Sequence, residues 1–309
     1  MNFIGYLLRQ INRKKLMMRI LIIFMIATFL PIEKPTVLAQ EPINHTVYLP
    51  VVVKNVISSC SEGPDQWLCL LNLYRVTAGL NAVTSNSSYN YGLGLHTNYL
   101  LNCPEQASVS MHEETVCSGW TTEGRTAGGQ SNMVWNGGPN YTTSQAIDIW
   151  MRFASHRYNM LHPDISSSGF NLSCDSNNCA AGLNILGSLP TSANISSKNL
   201  IYPVENQQGI PPTQFPITWA FYMPWNSSTP ESDEVRFVSA SIVNNLNQSV
   251  PFTMSEPIHN NGTWDYKNQV VLTPVNSLLP NQTYRVRMTV SFKNQNYSKD
   301  WSFTTGSTP

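Results

Sequence analysis

The sequence predicts an α+β protein in which a region of helices and strands precedes an all-β sandwich. Three observations predict it. Apolar residues recur at helical spacing in two stretches between residues 63 and 161. Ser, Thr and Asn dominate 188–199, the texture of a linker. Beyond Tyr202 there is no helical period, only short alternating runs punctuated by Pro, Asn and Gly, the pattern of a small antiparallel sandwich.

The front of the chain reads as an export signal. Residues 1–39 hold six basic groups (Arg9, Arg13, Lys14, Lys15, Arg19, Lys34) against one acid, Glu33. Ile20 to Leu30 is an uncharged run of 11 residues, and Val37-Leu38-Ala39 offers a cleavage point before Gln40. As a helix that run spans roughly 16 Å, short of the ~30 Å hydrocarbon core of a bilayer. Retention as an anchor is the alternative; no other stretch is apolar enough to span. The net charge of zero therefore belongs to the precursor, and cleavage leaves 12 basic and 17 acidic groups, a net −5.

Only 12% of residues are charged, and Asn fills 32 of the 309 positions, so amides and hydroxyls carry the polar surface. That excludes a nucleic-acid binder held by basic patches. The six cysteines (Cys60, Cys69, Cys103, Cys117, Cys174, Cys179) all follow the signal, and an oxidising compartment favours bridges. Six permit fifteen connectivities. Local pairing, 60–69, 103–117 and 174–179, closes three short excursions. No Cys-x-x-Cys occurs, which argues against zinc–thiolate chemistry.

In chain order, residues 40–62 form an N-terminal extension containing the β-rich run Val47–Val53. Helices follow, with Trp67, Leu68, Leu71, Leu73 and Tyr74 on the first, Gly79 as its stop, and a second over about 89–102. Residues 103–143 are Gly-rich and read as loop. A helix over 143–161 takes its cap from Thr143 or Ser144 and its buried face from Ala146, Ile147, Trp150, Met151 and Phe153. Gly169–Leu172 and Ala180–Leu186 read as strands flanking a Cys174–Cys179 turn. After a linker at 188–202, strands are expected at 217–222, 235–243, 270–272, 284–292 and 301–305 of a module spanning 203–306.

Four stretches resemble the CAP superfamily of cysteine-rich secretory, antigen 5 and pathogenesis-related 1 proteins, closest to its secreted bacterial branch. They are Leu71-Asn72-Leu73-Tyr74-Arg75 with Gly79-Leu80; Gly92–Leu100; Gly119-Trp120-Thr121 with Ala127-Gly128; and Trp150-Met151 with His156-Arg157-x-Asn159-x-Leu161, Pro163 and Gly169. The resemblance covers 63–187 and implies an α-β-α sandwich with a central cavity lined by two His and two acids. By motif position the histidines are His112 and His156. The first acid falls on Gln130 and the second on Phe153, so a divalent metal held by His112 and His156 lacks its carboxylates. Leu279-Pro280-Asn281-Gln282-Thr283-Tyr284-x-Val286 resembles the tyrosine corner of immunoglobulin-like or fibronectin type III-like modules, which implies that the Tyr284 hydroxyl bonds backbone.

The residues themselves exclude several chemistries. His112-Glu113-Glu114 lacks the second histidine of a zinc peptidase, because position 116 is Val. Gly-x-Ser-x-Gly is absent, and Gly128-Gly129 lacks the Lys–Ser/Thr of a phosphate loop. His96 reads as a satisfied core histidine; His45, His162 and His259 belong to no constellation. His156 and Arg157 also suit a helix C-terminus, where cations favour the dipole. Trp120, Trp135 and Trp150 suit either core packing or the walls of a ligand site. The expected function is a secreted or envelope-associated binding or adhesion module without enzymatic turnover. Its partner is a lipid, glycan or protein met at His112, Gln130 and His156. The alternative is a hydrolase using the two histidines.

Overall fold

The computed structural model describes residues 60–189, 198–222, 233–257 and 268–307. The signal segment at 1–39 and the Val47–Val53 run lie outside them. The first module contains helices α1 (Gln66–Thr77), α2 (Ser87–Asn102), α3 (Pro104–Val109), α4 (Thr122–Gly129), α5 (Thr143–Arg152) and α6 (Ala154–Met160). Its strands β1 (Thr84–Ser85), β2 (Ser131–Gly137), β3 (Ser167–Cys174) and β4 (Asn178–Asn184) form one sheet in the order β1-β3-β4-β2. The β3–β4 and β4–β2 pairs are antiparallel, and the short β1 pairs with β3 in parallel.

The period of two in β4 separates two layers of packing. Ala181 and Leu183 join Trp67, Trp150 and Phe170 in the core beneath α1 and α5. Ala180 joins Leu93, Leu100 and Met133 in the core beneath α2. A Cβ on Gly182 would meet Leu93 and Met133, so β4 stays smooth where α2 crosses it. Helices therefore cover both faces of the sheet, as the resemblance implies.

Four expectations need correction. Residues 103–143 hold α3, α4 and β2 rather than loop alone. Pro104 starts α3, which is only six residues long, and the Thr121 hydroxyl accepts the Gly124 N–H to cap α4, whose glycines hid it from periodicity. The helix expected over 143–161 breaks into α5 and α6 at Phe153, which has extended backbone and an exposed side chain. At the break Arg157 Nη1 donates to the Met151 carbonyl at 2.8 Å, taking the place of the next backbone donor. Thr142, not Thr143 or Ser144, caps α5, in a capping box with Gln145. Finally, the stretch assigned to a linker ends in a strand, β5 (Asn199–Tyr202).

The second module is two four-stranded sheets. One runs β5-β7-β10-β9, with β7 at Ile217–Phe221, β9 at Phe252–Ser255 and β10 at Gln269–Pro274. The other runs β6-β12-β11-β8, with β6 at Gln207–Ile210, β8 at Arg236–Asn244, β11 at Thr283–Phe292 and β12 at Gln295–Thr305. Alternation along β11 buries Tyr284, Val286, Met288 and Val290. Phe221 of β7 reaches across to Phe292, with ring centroids 4.7 Å apart. The Leu279 N–H donates to the Tyr284 hydroxyl at 2.7 Å, pinning the turn that enters β11.

The two modules share a buried seam built on α6. Arg157 Nη2 donates to the carbonyl of Pro216 at 2.6 Å and to Thr218 Oγ1 at 3.3 Å. The same guanidinium lies over the rings of Tyr202 and Phe215. Tyr158 Oη donates to the Phe221 carbonyl at 3.2 Å, and Gln269 Nε2 to that of Ala154 at 3.2 Å. Burial draws the Arg157 guanidinium down to about 10, so it is still cationic at neutral pH. Carbonyls and ring faces replace its hydration.

Candidate functional site

The site is built where α2 meets α4. Asn86 caps α2, its side chain accepting the N–H groups of Ser88 and Tyr89. A Cβ on Gly92 would stand 3.0 Å from Ala127 Cβ and 3.1 Å from the Glu123 carbonyl, so the helices cross almost backbone to backbone there. On its inner side α4 presents Gly124 and Gly128, one turn apart. A Cβ on Gly124 would collide with Glu114 and one on Gly128 with the ring of His96.

Those two glycines accommodate a buried histidine–carboxylate pair. His96 Nδ1 lies 2.8 Å from Glu114 Oε1, and its Nε2 lies 2.9 Å from the Met111 carbonyl. Glu114 Oε2 accepts the Thr121 N–H at 2.9 Å, and Arg125 Nη2 donates to the Glu114 carbonyl at 2.7 Å. The loop carrying Glu114 is held back by the Cys103–Cys117 disulfide and by Gln106 Oε1, which accepts from Thr115 and Val116. Both nitrogens of His96 are occupied by protein. This pair is the keystone of the loop, and it has no ring nitrogen to offer a substrate.

On the outer side of the same crossing lies an open groove of about 230 Å³. Ser88 and Tyr89 of α2 face Thr122, Glu123 and Thr126 of α4, with Gln130 and Asn184 at the inner end. Gln130 caps the C-terminus of α4, and its carbonyl accepts the N–H groups of Ile185 and Leu186. Its Oε1 accepts from Asn184 Nδ2 at 3.4 Å.

Of the three residues singled out in the sequence, Gln130 lines this groove; His112 and His156 are not among its lining residues. His112 is exposed and its Nδ1 lies 3.1 Å from the Gly128 carbonyl, two residues before Gln130. His156 sits on α6, its carbonyl accepting from Asn132 Nδ2 at 3.1 Å and its ring centroid 6.1 Å from that of exposed Phe153. All three thus border the Gly128–Asn132 segment. Among the described residues, the one cluster of three potential metal ligands is Cys103, Glu105 and Cys117. Its two sulfurs are joined in a disulfide, so it is not a metal site. No such cluster contains His112 or His156.

The tryptophans divide. Trp150 is core, donating Nε1 to the Met133 carbonyl at 3.2 Å. Trp135 is half-buried beside the α2 core. Trp120 is exposed, with the Arg125 guanidinium 4.3 Å from its ring.

The matched motif residues have structural occupations. Arg75 is fully buried and donates to the carbonyls of Asn81, Met160, His162 and Ile165. Asn72 exchanges two hydrogen bonds with the backbone of Val83. Residues 68–186 match the cysteine-rich secretory protein (CAP) family. No curated protein matches the chain. Three disulfides form, as expected; Cys103–Cys117 and Cys174–Cys179 inside the CAP domain and Cys60–Cys69 at its front edge pair locally, one of the fifteen connectivities that the sequence leaves open.

Sequence reasoning missed Glu114 as the partner of His96, and it missed Ser88, Thr122, Thr126 and Asn184 as groove residues. Gly124-x-x-x-Gly128 was the available signal, since two glycines a turn apart on one helix mark a close approach. The sequence does not say what approaches.

Proposed function

We propose that this chain is an exported CAP-domain protein that binds a partner without turning it over, with the α2–α4 groove as its binding site. CAP family proteins are typically secreted, and three disulfides fit an extracellular location. No helix among the described residues is long and apolar enough to cross a membrane. The observation that carries the reading is the division of chemistry at α4. The His–carboxylate pair is sealed on one side, and the open side offers hydroxyls, amides and the single carboxylate of Glu123. General acid–base catalysis needs a positioned donor and acceptor in reach of substrate. The groove contains no histidine. Gln130 is the candidate residue that we place in the binding site.

We read the second module as an immunoglobulin-like or fibronectin type III-like spacer. The Tyr284 hydroxyl bond to Leu279 and the two packed sheets support that reading. The seam through Arg157 makes it a fixed extension of the CAP domain.

The test is to incubate the purified secreted chain with lipid vesicles, glycans and peptides, measuring both capture and product formation. Capture without product is expected. Turnover that His112→Ala or His156→Ala abolishes would replace this reading with the hydrolase.

A further inference from the structure

The groove also says what class of partner enters it. Ser88 Oγ, Tyr89 Oη, Thr122 Oγ1 and Gln130 Nε2 line it or sit on its lining residues, and none makes a hydrogen bond with a described residue. Those four polar groups, on residues that line one concave surface, remain unspent by the fold. Three are hydroxyls, able to donate and accept, and the fourth is an amide donor.

Three ligand classes fit poorly. No Lys, Arg or His lines the groove, and Glu123 adds a negative charge, so a phosphate, sulfate or carboxylate finds no counter-charge. An acyl chain or sterol would cover the apolar part of the groove but would strip water from its hydroxyls and amides without replacing their hydrogen bonds, which is costly. A drug-sized molecule needs a pocket of roughly 300–1,000 Å³, and this one is about 230 Å³. A neutral polyhydroxyl ring matches on all three counts. It is small and uncharged, it both donates and accepts, and it has an apolar face for the Tyr89 ring.

We infer that the groove takes one neutral sugar residue of a glycan, held by Ser88, Thr122 and Gln130 and left uncleaved. This rests on the binding-module reading above and names its ligand. The absence of cleavage follows from the carboxylate count. Glycoside hydrolysis usually needs two flanking carboxyl groups about 5–9.5 Å apart. The groove has Glu123 alone, since Glu114 is sealed behind Gly124 and bonded to His96.

The experiment is saturation-transfer NMR on the purified secreted chain with neutral hexoses and N-acetylhexosamines and their short oligomers. Sulfated glycans, sterol-containing phosphatidylcholine vesicles and a peptide pool run alongside. Thr126→Trp fills the groove from an exposed position on α4, and Gln130→Ala removes the amide. Lys299→Ala on the second module is the control. Circular dichroism confirms that each variant folds.

Saturation transfer to a neutral sugar, weakened about tenfold by Gln130→Ala (about 1.4 kcal/mol) and lost in Thr126→Trp, is expected. Sugar binding that Thr126→Trp leaves intact overturns the assignment to this groove. Binding to vesicles, sulfated glycans or peptides but to no neutral sugar overturns the ligand class and leaves the binding-module reading standing. Binding to nothing in the panel overturns both.

Discussion

His96 Nδ1 stands 2.8 Å from Glu114 Oε1, with both side chains buried beneath α4 and 18 positions apart in the chain. The pair ties the loop before α4 to the middle of α2, and so fixes the crossing whose outer side is the groove. Removing one partner of a buried pair leaves the other desolvated, at a cost of about 3–5 kcal/mol. Glu114→Ala and His96→Ala are each expected to lower the urea midpoint accordingly. In a double-mutant cycle the two losses should fall well short of additive.

Gly128→Ala tests the same packing from the helix side. The new methyl has no room beside the imidazole, and overpacking costs about 1–3 kcal/mol. In a His96→Ala background most of that penalty should vanish, because the obstructing ring is gone. Equal penalties in both backgrounds would show that the glycine serves something other than the histidine.

Arg157 should decide whether the modules unfold together. Arg157→Met keeps the aliphatic stem but abandons the carbonyls of Met151 and Pro216. Arg157→Lys supplies a charge without the planar fork. Both are expected to cost about 3 kcal/mol or more. Amide exchange should accelerate first in α6 and β7. Calorimetry should resolve one transition for the parent chain and a broadened or split one for Arg157→Met.

Two aspartates should pull the acid response in opposite directions. Burial raises the Asp148 pKa above its ordinary 3.8, although the Tyr74 hydroxyl donates to it at 2.8 Å. A raised folded value penalises the ionised form in the native state. The penalty is present above the folded pKa and absent below the unfolded one. Asp148→Asn keeps an acceptor for Tyr74, so it should raise Tm at pH 7 and lose that advantage as pH falls through 3.8. Asp300 has the opposite sign. Hydrogen bonds from Arg285 and then Arg287 hold its carboxyl at about 2. Its contribution is present above the ordinary value and lost as pH falls toward 2. Its exposure keeps that contribution small. Melting curves of Asp148→Asn and Asp300→Asn from pH 2 to 7 check both.

The disulfides should rank by the loops that they close. Cys103–Cys117 spans 14 positions and Cys174–Cys179 spans 5. Loop-closure entropy gives about 3 kcal/mol for the first and about 2 kcal/mol for the second. Cys103→Ser with Cys117→Ser should cost more than that ranking implies, because the bridge also holds the Glu114 loop. Chemical denaturation of the two double variants compares them.

Local rules placed much of this protein directly from its sequence. The α1 and α2 helices follow from apolar spacing and the Gly79 stop. Five of the eight strands of the second module follow from alternation, while β5, β6 and β9 do not; short cysteine intervals in an exported chain favour bridges and make local pairing one option among fifteen. Each of these signals is complete within a few residues. The partners of His96, Arg75 and Arg157 are not, because, apart from one nearby carbonyl each for Arg75 and Arg157, they come from residues 15 to 90 positions away. Motif spacing marked His112, Gln130 and His156 as the site; a motif records which residues recur and not which way they face. Period and spacing determined the first two helices and the five alternating strands of the second module. Only the tertiary structure decided that Gly128 makes room for His96, that Arg157 joins the end of one helix to a second module, and that Gln130 opens on a groove, because each depends on surfaces that long-range packing brings together.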